Sequence, residues 1–570
     1  MLNRILLCAC LCVFSWQDIV SQQAGRSDFK IDGRLIDSTT QQPIAHARVA
    51  IAPVTQRDAF TTIVTAEDGL FSFSGLKAGK YTLFAQAHGY VVQAFNQHDQ
   101  YSSSIVVGEN ANSSGLVFRL DKENTIDGTI TDEAGEPVRN AQITLYQTGV
   151  AGGSQGTRAR THASTNDLGN YHLGRLPAGD YIISVEATVW YEQRPQHRVV
   201  YTFTNPSQGS GFSGNAFGST AVGTNPPSSQ PETPNPLDVA YPLTFFPGVT
   251  EPGSAGVIHL TRGEKYVADL TLQPRPAIHL KLPAAGSPES PASYKLERKM
   301  LDGSTQGVMT EIRNLPSGEV EIEGVAPGQY TLITELHRPA EPGSRKVAPA
   351  DAASAREINA VANDVMDEGK MMSFAAVKAK LLFGPGAALA NGSYLLLNDF
   401  KTRKNIFELI PADGEIEFKQ TVPPGNYELS INGNGSSFIR SITATGAKVY
   451  GRTVMIRGTV PVKLEITISK GQGQITGLAL RDGRPLAGVM IVAVPSDPVH
   501  NQVLFRRDQS DSDGTFTLPN VVPGDYTVLA IEDGWDLQWL KPEVLKPYLA
   551  QGEAVQVQQN GKYELKLKAQ

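Results

Sequence analysis

The chain has 570 residues, a net charge of −7 and 40% hydrophobic residues, enough apolar material for several small cores rather than one. The acidic balance, with no Lys/Arg run interleaved with aromatics, leaves no electrostatic footprint for nucleic acid. All three cysteines, Cys8, Cys10 and Cys12, fall near the N-terminus, so the chain beyond them can form no disulfide and use no thiol nucleophile.

Residues 1–25 read as a secretory signal peptide: Arg4 precedes an apolar stretch from Ile5 to Phe14. A lipoprotein anchored through Cys10 is the alternative; secreted protein, extracellular or associated with the periplasm and outer membrane, is the preferred reading. No later stretch reaches the ~20 apolar residues of a membrane helix.

From residue 26 a repeat sets the organisation. It runs Asp68-Gly69-Leu70-Phe71-Ser72-Phe73, then Ala78-Gly79-Lys80-Tyr81, and returns at Asp167-Leu168-Gly169 with Pro177-Ala178-Gly179-Asp180-Tyr181. A third copy is Asp513-Gly514-Thr515-Phe516 with Pro523-Gly524-Asp525-Tyr526. Weaker copies lead to Pro327-Gly328-Gln329-Tyr330 and Pro424-Gly425-Asn426-Tyr427. Alternation such as Phe71, Ser72, Phe73 is the period of a half-buried strand, and the glycines supply the turn conformations that hairpins need. The full copies share an upstream half: Ile31-x-Gly33 with Pro43-Ile44, Ile126-x-Gly128 with Pro137-Val138, and Ile475-x-Gly477 with Pro485-Leu486. Several short strands in under a hundred residues predict a β-sandwich per unit.

These motifs resemble the carboxypeptidase regulatory-like domain, a prealbumin-like (transthyretin-like) sandwich. The resemblance covers residues 29–85, 124–187 and 473–531 well, and 278–335 and 376–431 in fragments. It implies an all-β fold of tandem prealbumin-like or immunoglobulin-like sandwiches in a secreted bacterial protein, and brings no shared catalytic residues.

The expected division is sandwich 1 at 26–122, and sandwich 2 at 123–275 with a Gly/Ser/Pro loop at 205–237. A degenerate sandwich 3 follows at 276–345, then a helical linker at 346–372, sandwich 4 at 373–469 and sandwich 5 at 470–570. The linker rests on Ala352, Ala355, Ile358, Val361, Ala362 and Val365 at near-helical spacing. Between Trp535 and Leu549 a helical turn or two is expected, limited by Pro542 and Pro547.

Catalytic signals are few. Neither His-x-x-Glu nor His-Glu-x-x-His occurs, so no zinc peptidase motif is present, and the histidines read as surface residues. Asp508, Asp511 and Asp513 lack the spacing of a calcium loop. Gly79-Lys80 belongs to a hairpin rather than a phosphate loop. No catalytic residue, metal or cofactor is assigned, and the chain is read as no enzyme. The candidate ligand-binding residues are Trp190, Tyr191, Trp535 and Trp539, because flat rings beside polar loops can stack on sugar faces; the alternative is that they cover the ends of their sandwiches. Extracellular or envelope binding follows, with polysaccharide the leading partner. A structural or adhesive scaffold for another envelope protein is the alternative, and an accessory to a peptidase the third.

Overall fold

A computed structural model describes residues 29–109, 111, 113–193, 235–287, 290–337, 350–362, 365–399, 404–418, 422–433 and 436–570. The segment 1–25 expected to be a signal peptide, Cys10 within it, and residues 205–234 of the expected Gly/Ser/Pro loop lie outside the described residues. Five sandwiches follow one another, each with its own apolar core between two sheets. In the first, the sheet Leu70–Leu76, Phe29–Asp37, Leu116–Leu120 faces the sheet built around Arg48–Pro53 and Gly79–Gln86. The fifth repeats this plan, with Gly473–Arg481 central to one sheet and Met490–Pro495 beside Gly524–Ile531 in the other. In the first, second, fourth and fifth sandwiches the opening strand pairs in parallel with a strand from the end of its unit.

The repeat motifs hold this plan together. At Gly33, Gly128 and Gly477 a Cβ would collide with the carbonyl oxygen of Leu116, Ala268 and Leu565, all belonging to the chain that pairs in parallel. The ring of Phe71, Tyr171 or Phe516 closes the other side of the same position. Only glycine lets the neighbouring backbone and the aromatic approach this closely. The tyrosine of each Gly-x-Tyr donates its hydroxyl to a carbonyl four residues earlier: Tyr81 to Lys77 (3.0 Å), Tyr181 to Pro177 (2.8 Å), Tyr330 to Ala326 (2.7 Å), Tyr427 to Pro423 (2.9 Å) and Tyr526 to Val522 (2.9 Å). This is a tyrosine corner present in all five units. Removing one hydroxyl, as in Tyr526→Phe, leaves a buried carbonyl unpaired and should cost about 1 kcal/mol, read as a lowered melting temperature of that sandwich.

A third device recurs in the full copies. Thr65 Oγ1 accepts from Ala47 N and donates to the Ile44 carbonyl, while Thr165 does the same between Ala141 and Val138. Ser510 takes this place between Val489 and Leu486. One buried hydroxyl thereby satisfies a donor and an acceptor where the strand is entered.

The expected helical linker is not helical. Ala350–Ala362 and Val365–Ser373 are antiparallel strands that extend a sheet of the third sandwich, with Ala350 to Ala360 paired along Gly328–His337. The register slips between Arg356 and Ile358, and again between Ala360 and Ala362. Ile358 and Ala360 face the core of the third sandwich, while Ala355, paired with Ile333, is buried on the opposite face, so buried residues three and then two apart imitate a helical period. The α-helix of the described residues is Pro542–Leu549, which presses Leu545 against the outside of the fifth sandwich.

Candidate functional site

The fifth sandwich folds back onto the first, joining side chains more than 400 positions apart. The strand Ile105–Val107 lies at the edge of a sheet in the first sandwich, where it would offer unpaired backbone groups. The turn at Asp511–Ser512 covers it. Ser104 N donates to Asp511 Oδ1 (2.8 Å), Val106 N to Ser512 Oγ (2.9 Å), and Ser512 N to the Ser104 carbonyl (3.0 Å). Lys80 reaches across to Asp511 Oδ2 (2.6 Å) and Thr515 Oγ1 (2.9 Å).

Gln509 is buried at the centre. Its amide nitrogen donates to the Asn96 carbonyl (2.6 Å) and to Ser103 Oγ (3.0 Å), which leaves Oε1 as an acceptor for His98 Nδ1 at 3.1 Å. His98 must therefore carry a hydrogen on Nδ1. Its ring lies parallel to Trp535 with centroids 4.9 Å apart. The Arg507 guanidinium sits over two rings, Tyr101 at 4.7 Å and Trp539 at 4.6 Å, with Asp99 at 3.4 Å. The second sandwich joins here as well. Gly153 packs on the Trp539 indole, and its carbonyl accepts from Leu540 N at 3.1 Å.

Asp508 borders the same junction and accepts from Thr517 N at 2.7 Å. Burial pushes its carboxyl up to about 6, and the Asp511 carboxylate adds to the rise, while the Thr517 and Gln509 amides and Lys80 oppose it. Between the unfolded value of ~3.9 and about 6 the folded chain binds a proton that the unfolded chain has released. Stability from this group is therefore greatest below pH ~4 and falls as the pH rises through about 6. Asp508→Asn, which is never charged, should match the parent's stability at pH 4 and exceed it at pH 8 by about 3 kcal/mol, read from melting curves at the two pH values. An equal offset at both pH values would show that Asp508 is not the group responsible.

The candidate aromatics are divided between two places. Trp539 is 7% exposed within an apolar cluster, and Trp535 is half-buried, its indole N–H donating to the Gly488 carbonyl at 3.3 Å. Both stand at the junction. Trp190 and Tyr191 stand apart on the second sandwich. Trp190 is 79% exposed and meets Tyr191 edge-on, with centroids 5.5 Å apart. The Tyr191 hydroxyl donates to Glu133, and that hydrogen bond pushes the phenol up to about 12.

The three aspartates read against a calcium loop take separate partners: Asp508 holds Thr517 N, Asp511 holds Lys80, and Asp513 caps Thr515 N at 3.0 Å. Gly152-Gly153-Ser154-Gln155-Gly156 has the spacing of a nucleophile elbow, but it forms the turn between the strands Gln142–Ala151 and Ser154–Ser164, with no following helix. His279, Glu321 and Glu323 converge closely enough to hold a cation, yet the Arg313 guanidinium already pairs with both glutamates, at 2.5 and 3.1 Å. His279 Nε2 also faces Asp238 at 2.6 Å, tying the third sandwich to the second. Lys80, His98, Tyr101, Arg507 and Gln509 carry no local sequence signal, because their partners are supplied by the far end of the chain.

These features define a protein of tandem β-sandwiches whose terminal units are joined to each other. Residues 30–120 and 125–204 each match the family model of the carboxypeptidase regulatory-like domain. No curated protein matches it in sequence. Among solved structures it is similar to the Bacillus anthracis TIE protein, at 10% identity and a TM-score of 0.16, covering 94% of this chain and 72% of that one. It is also similar to a streptococcal ancillary pilin, at 11% identity and a TM-score of 0.19, covering 60% and 99%. The major pilin SpaD of Corynebacterium diphtheriae stands at 10% and 0.15, covering 61% and 98%.

Proposed function

We propose that this protein is a non-catalytic structural or adhesive scaffold of the cell exterior, binding a component of the envelope. The observation that carries this reading is the junction. The side chains with chemical potential, Lys80, His98, Arg507 and Asp511, are engaged in fastening the fifth sandwich to the first. Such a closed arrangement fixes the relative positions of the surfaces it presents. No helix of the described residues is long and apolar enough to cross a membrane.

A glycan partner is the finer reading, favoured by the exposed Trp190 ring held against Tyr191, which Glu133 anchors. A fixed, weakly hydrated ring suits the apolar face of a sugar. The test is sedimentation of the protein with isolated envelopes, before and after protease treatment. Binding that protease abolishes identifies a protein partner. Binding that survives protease but drops about tenfold in Trp190→Ala places the glycan at that ring. Failure to co-sediment under either condition would sink the envelope-binding proposal.

A further inference from the structure

Where the fifth sandwich meets the first, the two surfaces do not close fully, and a cleft of about 730 Å³ remains. We infer that this cleft binds an uncharged, hydroxyl-rich oligosaccharide. The inference rests on the envelope-binding reading and places a ligand at a site separate from Trp190.

The cleft lies within the ~300–1,000 Å³ typical of ligand sites. One wall is the outer face of Gly79–Gln86, where alternation sends Tyr81, Leu83 and Ala85 into the core and leaves Lys80, Thr82 and Phe84 facing the opening. The other wall is Arg507, Asp508 and Thr517 of the fifth sandwich. At the rim Phe60 is 55% exposed and stands edge-on to Phe84, centroids 6.1 Å apart. Neither ring belongs to the core of the first sandwich. An aromatic pair kept at a cleft mouth, outside any core, is the kind of surface a sugar ring stacks on.

Charge and backbone geometry narrow the ligand. Arg57, Lys80 and Arg507 are balanced by Asp508, Asp511 and the Asp99 that pairs with Arg507, so the cleft favours neither a polyanion nor a polycation. A peptide adding as a strand would need the edge Ile105–Val107, but Ser104 N, Val106 N and the Ser104 carbonyl there are already taken by Asp511 and Ser512. What remains facing the space is side chains of both hydrogen-bonding senses, among them Arg57, Gln97, Gln100 and Asp508, which suit hydroxyl groups.

The experiment is a glycan array carrying neutral, N-acetylated, uronate and sulfated oligosaccharides, probed with the full chain and with Phe60→Ala, Thr82→Trp and Trp190→Ala. The expected result is retention on a neutral or N-acetylated oligosaccharide that is weakened about tenfold by Phe60→Ala and by the cleft-filling Thr82→Trp, with Trp190→Ala included to separate this from any retention through the Trp190 ring. Phe60 is exposed, so an unaltered melting temperature in Phe60→Ala separates lost binding from lost folding. The cleft assignment is overturned by retention of none of the oligosaccharides, by preference for the uronate or sulfated ones, or by binding indifferent to Phe60 and Thr82. Binding lost in Trp190→Ala alone would also overturn it, while leaving the envelope-binding reading intact. A peptide library bound through Phe60 in place of any glycan would reassign the cleft to a protein ligand.

Discussion

Gly477→Ala is expected to unseat the strand Lys562–Lys568 and destabilise the fifth sandwich by about 3 kcal/mol or more. The added methyl would sit against the Leu565 carbonyl oxygen on one side and 2.9 Å from the Phe516 ring on the other. Neither can yield cheaply. Leu565 is fixed by a parallel pairing that runs from Gln474–Lys562 to Leu480–Lys568, and Phe516 is 1% exposed in the core. Calorimetry should show an earlier transition for this unit, and amide exchange across 562–568 should accelerate. Gly108→Ala is the control: a Cβ there meets nothing within 4 Å, so it should stay within about 0.5 kcal/mol of the parent. If both variants melt alike, close approach is not why glycine stands at Gly33, Gly128 and Gly477.

The second large effect is one of shape. Asp511→Ala removes the acceptor of both Lys80 and Ser104 N, leaving an ammonium and an edge amide without their partner. Lys80 keeps 34% of its side chain exposed, so water compensates part of the loss, and the expected cost is about 2 kcal/mol rather than that of a fully buried pair. Because no covalent bond ties the fifth sandwich to the first, this weakening should appear as opening. Small-angle scattering should give a larger radius of gyration for Asp511→Ala than for the parent. A double-mutant cycle with Lys80→Met should return a coupling of about 1 kcal/mol, since in Asp511→Ala the lysine has already lost its carboxylate and keeps only Thr515 Oγ1. An unchanged radius together with zero coupling would mean that the aromatic contacts of His98, Tyr101 and Arg507 hold the junction unaided.

The sandwich units were legible in the residues because their signals are local. Asp-Gly, Pro-Gly and alternating aromatics report turn and pleat requirements that each short segment meets by itself. The tyrosine was visible as part of the repeat, but its hydrogen bond to a carbonyl four residues back was not. The Ala-rich stretch was misread for a definable reason: the strand Ala350–Ala362 buries residues on both faces, Ala355 on one and Ile358 and Ala360 on the other, and those intervals look helical when the partner strand is unseen. Trp535 and Trp539 were singled out as candidate ligand-binding rings, and their sequence surroundings gave no sign of His98, Arg507 and Gly153 as neighbours.

What the sequence determined by itself is the unit: an all-β sandwich, its turns and the alternation of its core, since these depend on contacts between residues close along the chain or on backbone conformations that particular residue types favour. What the tertiary structure alone decided is the arrangement of the units, with the fifth returned to the first and a cleft left between them. That arrangement depends on the complementarity of two surfaces made by segments about 400 residues apart, such as Ser103 and Ser510, and a side chain's local sequence carries no record of the distant group it will meet.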